Sequence, residues 1–204
     1  MNKHLSITIV TRLCRGACFL VLLFLVIQVM PGALGQLGSS NKPSIDAEGE
    51  WIWQNPLPQG NTLQDVFFID TNSGFAVGGT GTILRTTDGG NNWDILESGT
   101  NDDLYGVSFT DANTGTAVGN FGVILRTTDA GDHWTIQREG MADVLFGVSF
   151  TDANHGTAVG SDGLILRTTD GGAHWTNQAS GTTSFLNDVS FTDTDNGTAV
   201  GENG

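Results

Sequence analysis

The sequence TTDAGDHW, at residues 127–134, occurs in three versions spaced 41 residues apart, the others being TTDGGNNW at 86–93 and TTDGGAHW at 168–175. Each version places an aspartate after two threonines, a glycine two residues later and a tryptophan three residues after that glycine. The nine residues are Asp88, Gly90, Trp93, Asp129, Gly131, Trp134, Asp170, Gly172 and Trp175. A short carboxylate accepts hydrogen bonds from the backbone of its own turn, and glycine adopts a positive φ at little steric cost. The pattern therefore predicts a tight turn followed by a strand whose tryptophan packs between sheets.

The same spacing extends over whole units around these turns. Three units are complete, and a shorter one follows; they cover residues 63–103, 104–144, 145–185 and 186–204. One unit holds four β-rich runs separated by turn signals, at 104–110, 116–119, 123–128 and 133–138. Four short strands in about 41 residues match a β-propeller blade, and the apolar period of a helical repeat is missing. We predict an all-β fold, an incomplete β-propeller of three whole four-stranded blades and part of a fourth. A right-handed β-solenoid is the alternative, although its coils are usually shorter.

These residues resemble known proteins. The turn pattern is similar to the Asp-box, Ser/Thr-x-Asp-x-Gly-x-x-Trp, of sialidase-type and sortilin-type propellers. The wider unit, with GVSFTD at 106–111, GTAVG at 115–119 and ILRTTD at 124–129, most resembles the photosystem II stability and assembly factor family and its bacterial relatives. The resemblance spans roughly residues 51–204. It implies a non-enzymatic propeller in the thylakoid lumen or periplasm that assists assembly of a membrane-protein complex.

The N-terminal region has the pattern of a secretory signal. Three basic residues precede an apolar run at 17–30, and small residues follow at 33–35. We predict a signal peptide at 1–35 and export to the periplasm, thylakoid lumen or extracellular space, with an uncleaved anchor as the alternative. Residues 36–50 are polar and predict a flexible linker. The sequence WIWQ at 51–54 repeats the Trp-x-x-Gln of residues 134–137 and predicts a ring-closing strand at 51–57.

Composition excludes several classes of function for the mature chain. Both cysteines, Cys14 and Cys18, lie within the predicted signal, so disulfides, zinc-cysteine sites and cysteine nucleophiles are excluded after cleavage. Five Lys and Arg then remain against 22 Asp and Glu, a formal charge of −17. Such a charge repels phosphate backbones and anionic lipids. We expect no nucleic-acid partner and no insertion into a membrane after cleavage.

Three of the five remaining cations, Arg85, Arg126 and Arg167, occupy one position of the repeat. A circular array presents such residues as a row of guanidinium groups, which bind carboxylates well. One interpretation is that this row binds a protein or peptide partner, such as a membrane-protein complex under assembly. The other is that each arginine pairs inside the fold with a neighbouring carboxylate such as Asp70, Asp111 or Asp152.

Nothing in the repeat predicts a catalytic residue, a metal or a cofactor. The turns of the form Asp-x-Asn-x-Gly, such as Asp111 to Gly115, lack the further ligands of a calcium loop. His133, His155 and His174 do not recur in every unit. The leading hypothesis is therefore a non-enzymatic protein-binding module. One alternative is a sialidase-like or glucanase-like glycoside hydrolase whose catalytic blades are missing from this sequence, and a second is a secreted adhesion or carbohydrate-binding domain.

Overall fold

The computed structural model describes residues 60–203, and the strands of that part follow the repeat. The first blade consists of β1 (Leu63–Phe68), β2 (Gly74–Gly78), β3 (Thr82–Thr86) and β4 (Asp94–Leu96). The second consists of β5 (Leu104–Phe109), β6 (Gly115–Gly119), β7 (Ile124–Thr127) and β8 (Thr135–Arg138). The third consists of β9 (Leu145–Phe150), β10 (Gly156–Gly160), β11 (Ile165–Thr168) and β12 (Thr176–Gln178). A further two-stranded sheet pairs β13 (Leu186–Phe191) with β14 (Gly197–Gly201).

Each blade is a simple antiparallel meander in which every strand pairs with the next one along the chain. Short 3-10 turns connect the second and third strands of the blades, at Gly79–Gly81, Asn120–Gly122 and Ser161–Gly163. The predicted all-β architecture, three whole blades plus a partial one, is confirmed. The predicted signal peptide, linker and closing strand at 51–57 lie outside the described residues. Between residues 60 and 203, no helix is both long and apolar enough to cross a membrane.

The middle blade is buried on both faces. Ala117 and Leu125 pack into one apolar cluster with residues of the first blade, whereas Val118 and Ile124 pack into a second cluster with the third blade. Adjacent residues of a strand point to opposite faces, so an uninterrupted apolar strand fills both clusters. Burial of each leucine or isoleucine contributes about 1.5–3 kcal/mol. The blades are therefore joined chiefly by these two apolar layers.

The first strand of each blade ends in a phenylalanine that decides how the second strand begins. The Phe109 ring lies directly over Gly115, where an added Cβ would come within 2.4 Å of it. The same contact recurs between Phe150 and Gly156. Phe109 also stacks on Phe75 of the first blade, with ring centroids 4.0 Å apart. The first residue of β6 and of β10 is a glycine because the aromatic ring occupies the space that a side chain would need.

Side chains also link the first strands of neighbouring blades. Ser108 Oγ accepts a hydrogen bond from the backbone N–H of Phe150 at 3.2 Å, and Ser149 Oγ accepts one from Phe191 at 3.1 Å. These bonds satisfy backbone donors that a sheet neighbour would otherwise satisfy. These two bonds therefore help to align the first strand of each blade with the first strand of the next.

Candidate partner-binding site

The antiparallel strands divide the connections of each blade between two ends. The hairpins between first and second strands and the Asp-box turns between third and fourth strands lie at one end, here called the Asp-box end. The 3-10 turns and the connections between blades lie at the opposite end. Arg85, Arg126 and Arg167 are each the penultimate residue of a third strand. The structure therefore brings the three predicted arginines and the three Asp-boxes to the same end.

The Asp-box of the second blade is a closed hydrogen-bonded turn. The Thr127 hydroxyl donates to Asp129 Oδ1 at 2.9 Å and accepts from the Gly131 N–H at 2.9 Å. Asp129 Oδ1 also accepts from the backbone N–H of His133 at 2.9 Å, and its Oδ2 lies 2.7 Å from His133 Nδ1. These bonds to His133, backbone first, lower the pKa of Asp129 to about 2. Gly131 has φ +84°, which a larger residue would adopt only with strain.

The other two boxes repeat this geometry with small differences. In the third blade, the side-chain and backbone bonds from His174 lower the pKa of Asp170 to about 2. In the first blade Asn92 replaces the histidine, donates to both oxygens of Asp88 and lowers its pKa. Gly90 has φ +81° and Gly172 has φ +90°. The aspartate of each box is thus fully engaged by its own turn.

Each Asp-box tryptophan meets a phenylalanine of its own blade, and Trp134 and Trp175 also pack in the apolar clusters between blades. Trp134 meets the Phe109 ring edge to face, with centroids 6.1 Å apart and an interplanar angle of 87°. Trp93 and Phe68 make the same contact at 6.1 Å, and Trp175 and Phe150 make it at 6.0 Å. Edge-to-face pairs of this kind add to simple burial. The tryptophans are therefore part of the apolar packing of the blades.

Arg126 is almost completely buried, with 7% of its surface exposed. Its Nη1 donates to Thr116 Oγ1 at 2.6 Å, and its Nη2 donates to the carbonyl of Ala153 in the next blade at 2.7 Å. The guanidinium carbon lies 4.6 Å from the centroid of the Phe150 ring. Burial lowers the pKa of Arg126, while the charge of Asp111 opposes that change. Arg126 is therefore a tie between the second and third blades.

The other two arginines make similar contacts and keep more exposure to solvent. Arg85 Nη1 donates to the Ala130 carbonyl at 2.9 Å and to Asp132 Oδ1 at 2.7 Å, both in the Asp-box of the second blade. Arg167 donates to the carbonyl of Thr194, in the hairpin between β13 and β14, and lies 5.4 Å from the Phe191 centroid. Both side chains are partly exposed at the Asp-box end; the sheet that follows Arg167 has two strands in the described part of the chain, whereas the sheet that follows Arg126 has four.

The carboxylates expected to pair with the arginines are engaged elsewhere. Asp111 Oδ1 accepts from the backbone N–H groups of Asn113 and Thr114 at 2.7 and 2.9 Å. Asp70 and Asp152 accept the equivalent bonds in their own hairpins, and these bonds lower the pKa of all three aspartates. Arginine ion pairs with Asp70, Asp111 or Asp152 do not occur among residues 60–203. The arginines instead contact the turn of the following blade, mainly through its carbonyl groups. Arg85 also forms an ion pair with Asp132 of that turn, so pairing with a neighbouring carboxylate occurs at one of the three arginines.

A family model described as the photosynthesis system II assembly factor YCF48 matches residues 45–139 and 136–204. The chain belongs to this family. The resemblance inferred from the repeat is thereby confirmed.

Named relatives of the YCF48 family match shorter segments. The chain is 32% identical over 84 residues to the photosystem II assembly lipoprotein Ycf48 of Prochlorococcus marinus, a match covering 41% of this chain and 23% of that protein. It is 39% identical over 70 residues to the protein of the same name from a Nostoc species, covering 34% of this chain and 20% of that protein. The matches thus span about a fifth of the length of these relatives.

Solved structures of YCF48 share the fold. One, described as YCF48 bound to D1 peptide, has a TM-score of 0.58 and 26% identity, and the match covers 66% of this chain and 45% of that one. YCF48 from Cyanidioschyzon merolae has a TM-score of 0.55 and 29% identity, with 62% and 42% covered. An ancestral GH74 enzyme matches with a TM-score of 0.53 and 19% identity. This match covers 66% of this chain and 21% of the enzyme, and it shows a shared fold alone.

Sequence reasoning missed Asp65, which joins the first strands of two blades. Its Oδ1 accepts from the Val66 N–H at 2.8 Å, and its Oδ2 accepts from the Val107 N–H of the second blade at 2.9 Å. Burial raises its pKa, and the charge of Asp188 adds a smaller increase. The equivalent residues of the second and third blades are Gly106 and Gly147, so the repeat pattern gives no signal for this contact. No group of three potential metal ligands occurs in the described part of this YCF48-family chain.

Proposed function

We propose that the chain is an exported, non-enzymatic propeller that binds a protein segment during assembly of photosystem II. Membership of the YCF48 family supports this role, and one solved member of the family is described as bound to D1 peptide. Export is supported by the apolar run at 17–30 and the basic residues before it. The partner we propose is a segment of a photosystem II protein such as D1.

The observation that carries the binding site is the position of the arginines. Residues 60–203 contain four arginines and no lysine, and three of the four lie at the Asp-box end. A guanidinium has five N–H donors, of which Arg85 and Arg167 use only some in the contacts above. Arg85 already pairs with Asp132 at 2.7 Å, so a carboxylate of the partner must share or displace that pair, whereas Arg167 contacts a backbone carbonyl. We assign the carboxylate of the partner to these two partly exposed groups.

Arg126 has a different part in this proposal. Its guanidinium is buried against Phe150 and bonded to Thr116 and Ala153, so it has little surface to offer a ligand. It holds the second and third blades together and thereby helps to position Arg167 relative to the second blade. The partner contacts are therefore assigned to the two flanking arginines, with Arg126 as a positioning residue.

Peptide binding tests the proposal directly. A synthetic D1 peptide, with its carboxylates free or amidated, is titrated into the full chain and into the Arg85→Gln/Arg167→Gln variant. Loss of one charge-assisted hydrogen bond is worth about 1.5–3 kcal/mol, so we expect the variant to bind the free peptide at least about tenfold more weakly. Amidation of the peptide is expected to weaken binding to the unmodified chain similarly.

Arg138→Gln is the matched control, because Arg138 ends β8 at the opposite end of the blade. It removes one charge of the same kind and is expected to leave the affinity within about twofold. Thermal melts of all variants show whether the fold is retained. Equal affinity of the folded double variant and the unmodified chain would refute binding at the arginines.

A further inference from the structure

The second blade departs from the repeat at the opposite end. Phe121 occupies the centre of the 3-10 turn at Asn120–Gly122, where the first and third blades have Thr80 and Asp162. Phe121 has φ +51° and is 52% exposed. The left-handed region is unfavourable for an aromatic residue, whereas aspartate tolerates it better. The fold gains little burial from this side chain, so packing alone does not account for a phenylalanine there.

A second departure lies beside the first. Met141 stands where the other blades have Thr100 and Thr182, and it is 48% exposed. Its backbone N–H donates to the Phe121 carbonyl at 2.9 Å, so the two residues are neighbours. Two polar positions of the repeat have thus become apolar together, in the same blade and in direct contact. We call this pair the Phe121–Met141 knob.

A third departure from the repeat is an arginine next to the knob. Arg138 replaces Glu97 and Ala179 of the other blades, donates to the Gly122 carbonyl at 3.0 Å and pairs with Asp143 at 2.8 Å. In the first and third blades the equivalent space is an open cleft, of about 390 Å³ and 780 Å³ respectively. Arg138 links two loops of the second blade through these two contacts, and it therefore holds the turn that carries Phe121 in place.

Further aromatic side chains lie in the adjoining part of the same end. The turn that carries Phe121 contacts β9, which carries Phe146. The Phe146 ring lies 5.7 Å from Tyr105 and 5.8 Å from Phe185, centroid to centroid, and Phe185 is itself exposed. A row of three aromatic rings therefore lies at the same end as the knob, on or next to the first strands of neighbouring blades. Exposed apolar patches of this kind mark protein interaction sites.

The charge around the knob restricts the kind of partner. The loops at this end carry many carboxylates within the described residues; they are Glu97, Asp102, Asp103, Glu139, Asp143, Asp162 and Glu202. Arg138 is the cation of these loops, and Asp143 already neutralises it. Charge complementarity steers a cationic segment to such a surface and repels acidic segments and anionic lipids.

We propose that this end binds a cationic peptide segment of a partner protein, which places an apolar side chain on the Phe121–Met141 knob. The site is separate from the arginines at the Asp-box end, where a carboxylate is the proposed ligand. The two sites therefore differ in the group that each is proposed to bind, a carboxylate beside the arginines and an apolar side chain on the knob. This proposal stands whether or not the arginines bind a partner.

Fluorescence anisotropy with designed peptides tests it. The probe is a short fluorescein-labelled peptide that combines two phenylalanines with four lysines, titrated into the full chain. Two matched probes replace the phenylalanines by serine or the lysines by glutamate. We expect saturable binding of the first probe and at least about tenfold weaker binding of each matched probe.

The variant Phe121→Thr/Met141→Thr installs residues that the first blade carries at these positions. We expect it to bind the first probe at least about tenfold more weakly and to melt no lower than the unmodified chain. Ile95→Thr is the control, since Ile95 is also 52% exposed but lies on β4 of the first blade. We expect the control to bind within about twofold of the unmodified chain.

Three results would overturn the proposal. The first is unchanged binding by the double variant, and the second is equal binding of the lysine and glutamate probes. The third is binding to phosphatidylcholine vesicles with no saturable binding of the peptide, which would make the knob a lipid contact. Weakened D1-peptide binding by the arginine variant, with normal binding of the cationic probe, supports the independence of the two ends.

Discussion

Replacement of Gly119 by alanine tests how tightly the strands of a blade meet the chain before them. An alanine Cβ at this position would lie 2.0 Å from the Asp103 carbonyl oxygen and 2.9 Å from Leu104 Cα. Real Cβ atoms essentially never come closer than 3.0 Å, so the backbone must move by about 1 Å. Gly119 has φ −172°, an extended conformation that alanine also adopts. The expected effect is therefore purely steric.

The size of the effect follows from what the movement disturbs. The Asp103 carbonyl accepts the Asn120 N–H at 2.8 Å, and displacement weakens that bond. Overpacking costs about 1–3 kcal/mol, and the hydrogen bond adds about 1 kcal/mol, so we expect Gly119→Ala to lower the free energy of unfolding by about 2–4 kcal/mol. For a domain of this size the melting temperature should fall by about 5–15 °C. Circular dichroism melts at constant protein concentration measure it.

Alanine substitutions at two other glycines serve as controls that separate the steric effect of an added Cβ from the strain of a positive φ. Gly140 has φ +75° with no atom within 4 Å of the added Cβ, so Gly140→Ala reports conformational strain alone, worth about 1 kcal/mol. Gly60 has open space and no positive φ, so Gly60→Ala should be neutral within about 0.5 kcal/mol. The reasoning is wrong if Gly119→Ala melts no lower than Gly140→Ala.

Two further predictions concern the Asp-box end. Folding lowers the pKa of Asp129 and Asp170 from 3.8 to about 2, so the stability that these carboxylates contribute is full above about pH 4 and is lost as the pH falls toward 2. An Asp129→Asn/Asp170→Asn variant should therefore lose less stability between about pH 4 and about pH 2 than the unmodified chain. Melting temperatures measured against pH test this, and an unchanged slope would contradict the assignment. Arg126→Met should lower the free energy of unfolding by about 2–4 kcal/mol, because the buried Thr116 hydroxyl and the Ala153 carbonyl both lose a charged donor. Urea midpoints should show a smaller loss for Arg85→Met, and equal losses would argue against a special role of the buried arginine.

Most of the fold follows from the period of the sequence. The β-rich runs at 104–110 and 123–128 correspond to β5 (Leu104–Phe109) and β7 (Ile124–Thr127), and the turn signals fall between strands. Local chemistry decides these elements, since the runs are rich in β-branched and aromatic residues and the segments between them are rich in Asx and Gly. The 3-10 turn at Asn120–Gly122 was not predicted, because its left-handed Phe121 breaks the usual preference.

The contacts of the site residues were harder to predict. Carboxylates such as Asp111 lie at a suitable repeat position for pairing with arginine, but the N–H groups of their own hairpins are closer and always present. Arg126 meets Ala153 only because the third blade packs beside the second, and no local pattern contains that juxtaposition. The Phe121–Met141 knob was missed for a different reason. Its two residues differ from the equivalent residues of the other blades, so the repeat pattern gives no signal for them.

The arginine ties have a consequence for how such a protein can lengthen. Each unit contains both halves of a joint, since its third strand carries the donor and its Asp-box or hairpin turn carries the carbonyl that receives the preceding unit. Duplication of any 41-residue stretch of the gene therefore copies a complete joint along with the blade. A new copy needs no compensating mutation to dock on its neighbours. Divergence can then begin on surfaces that the joint does not use.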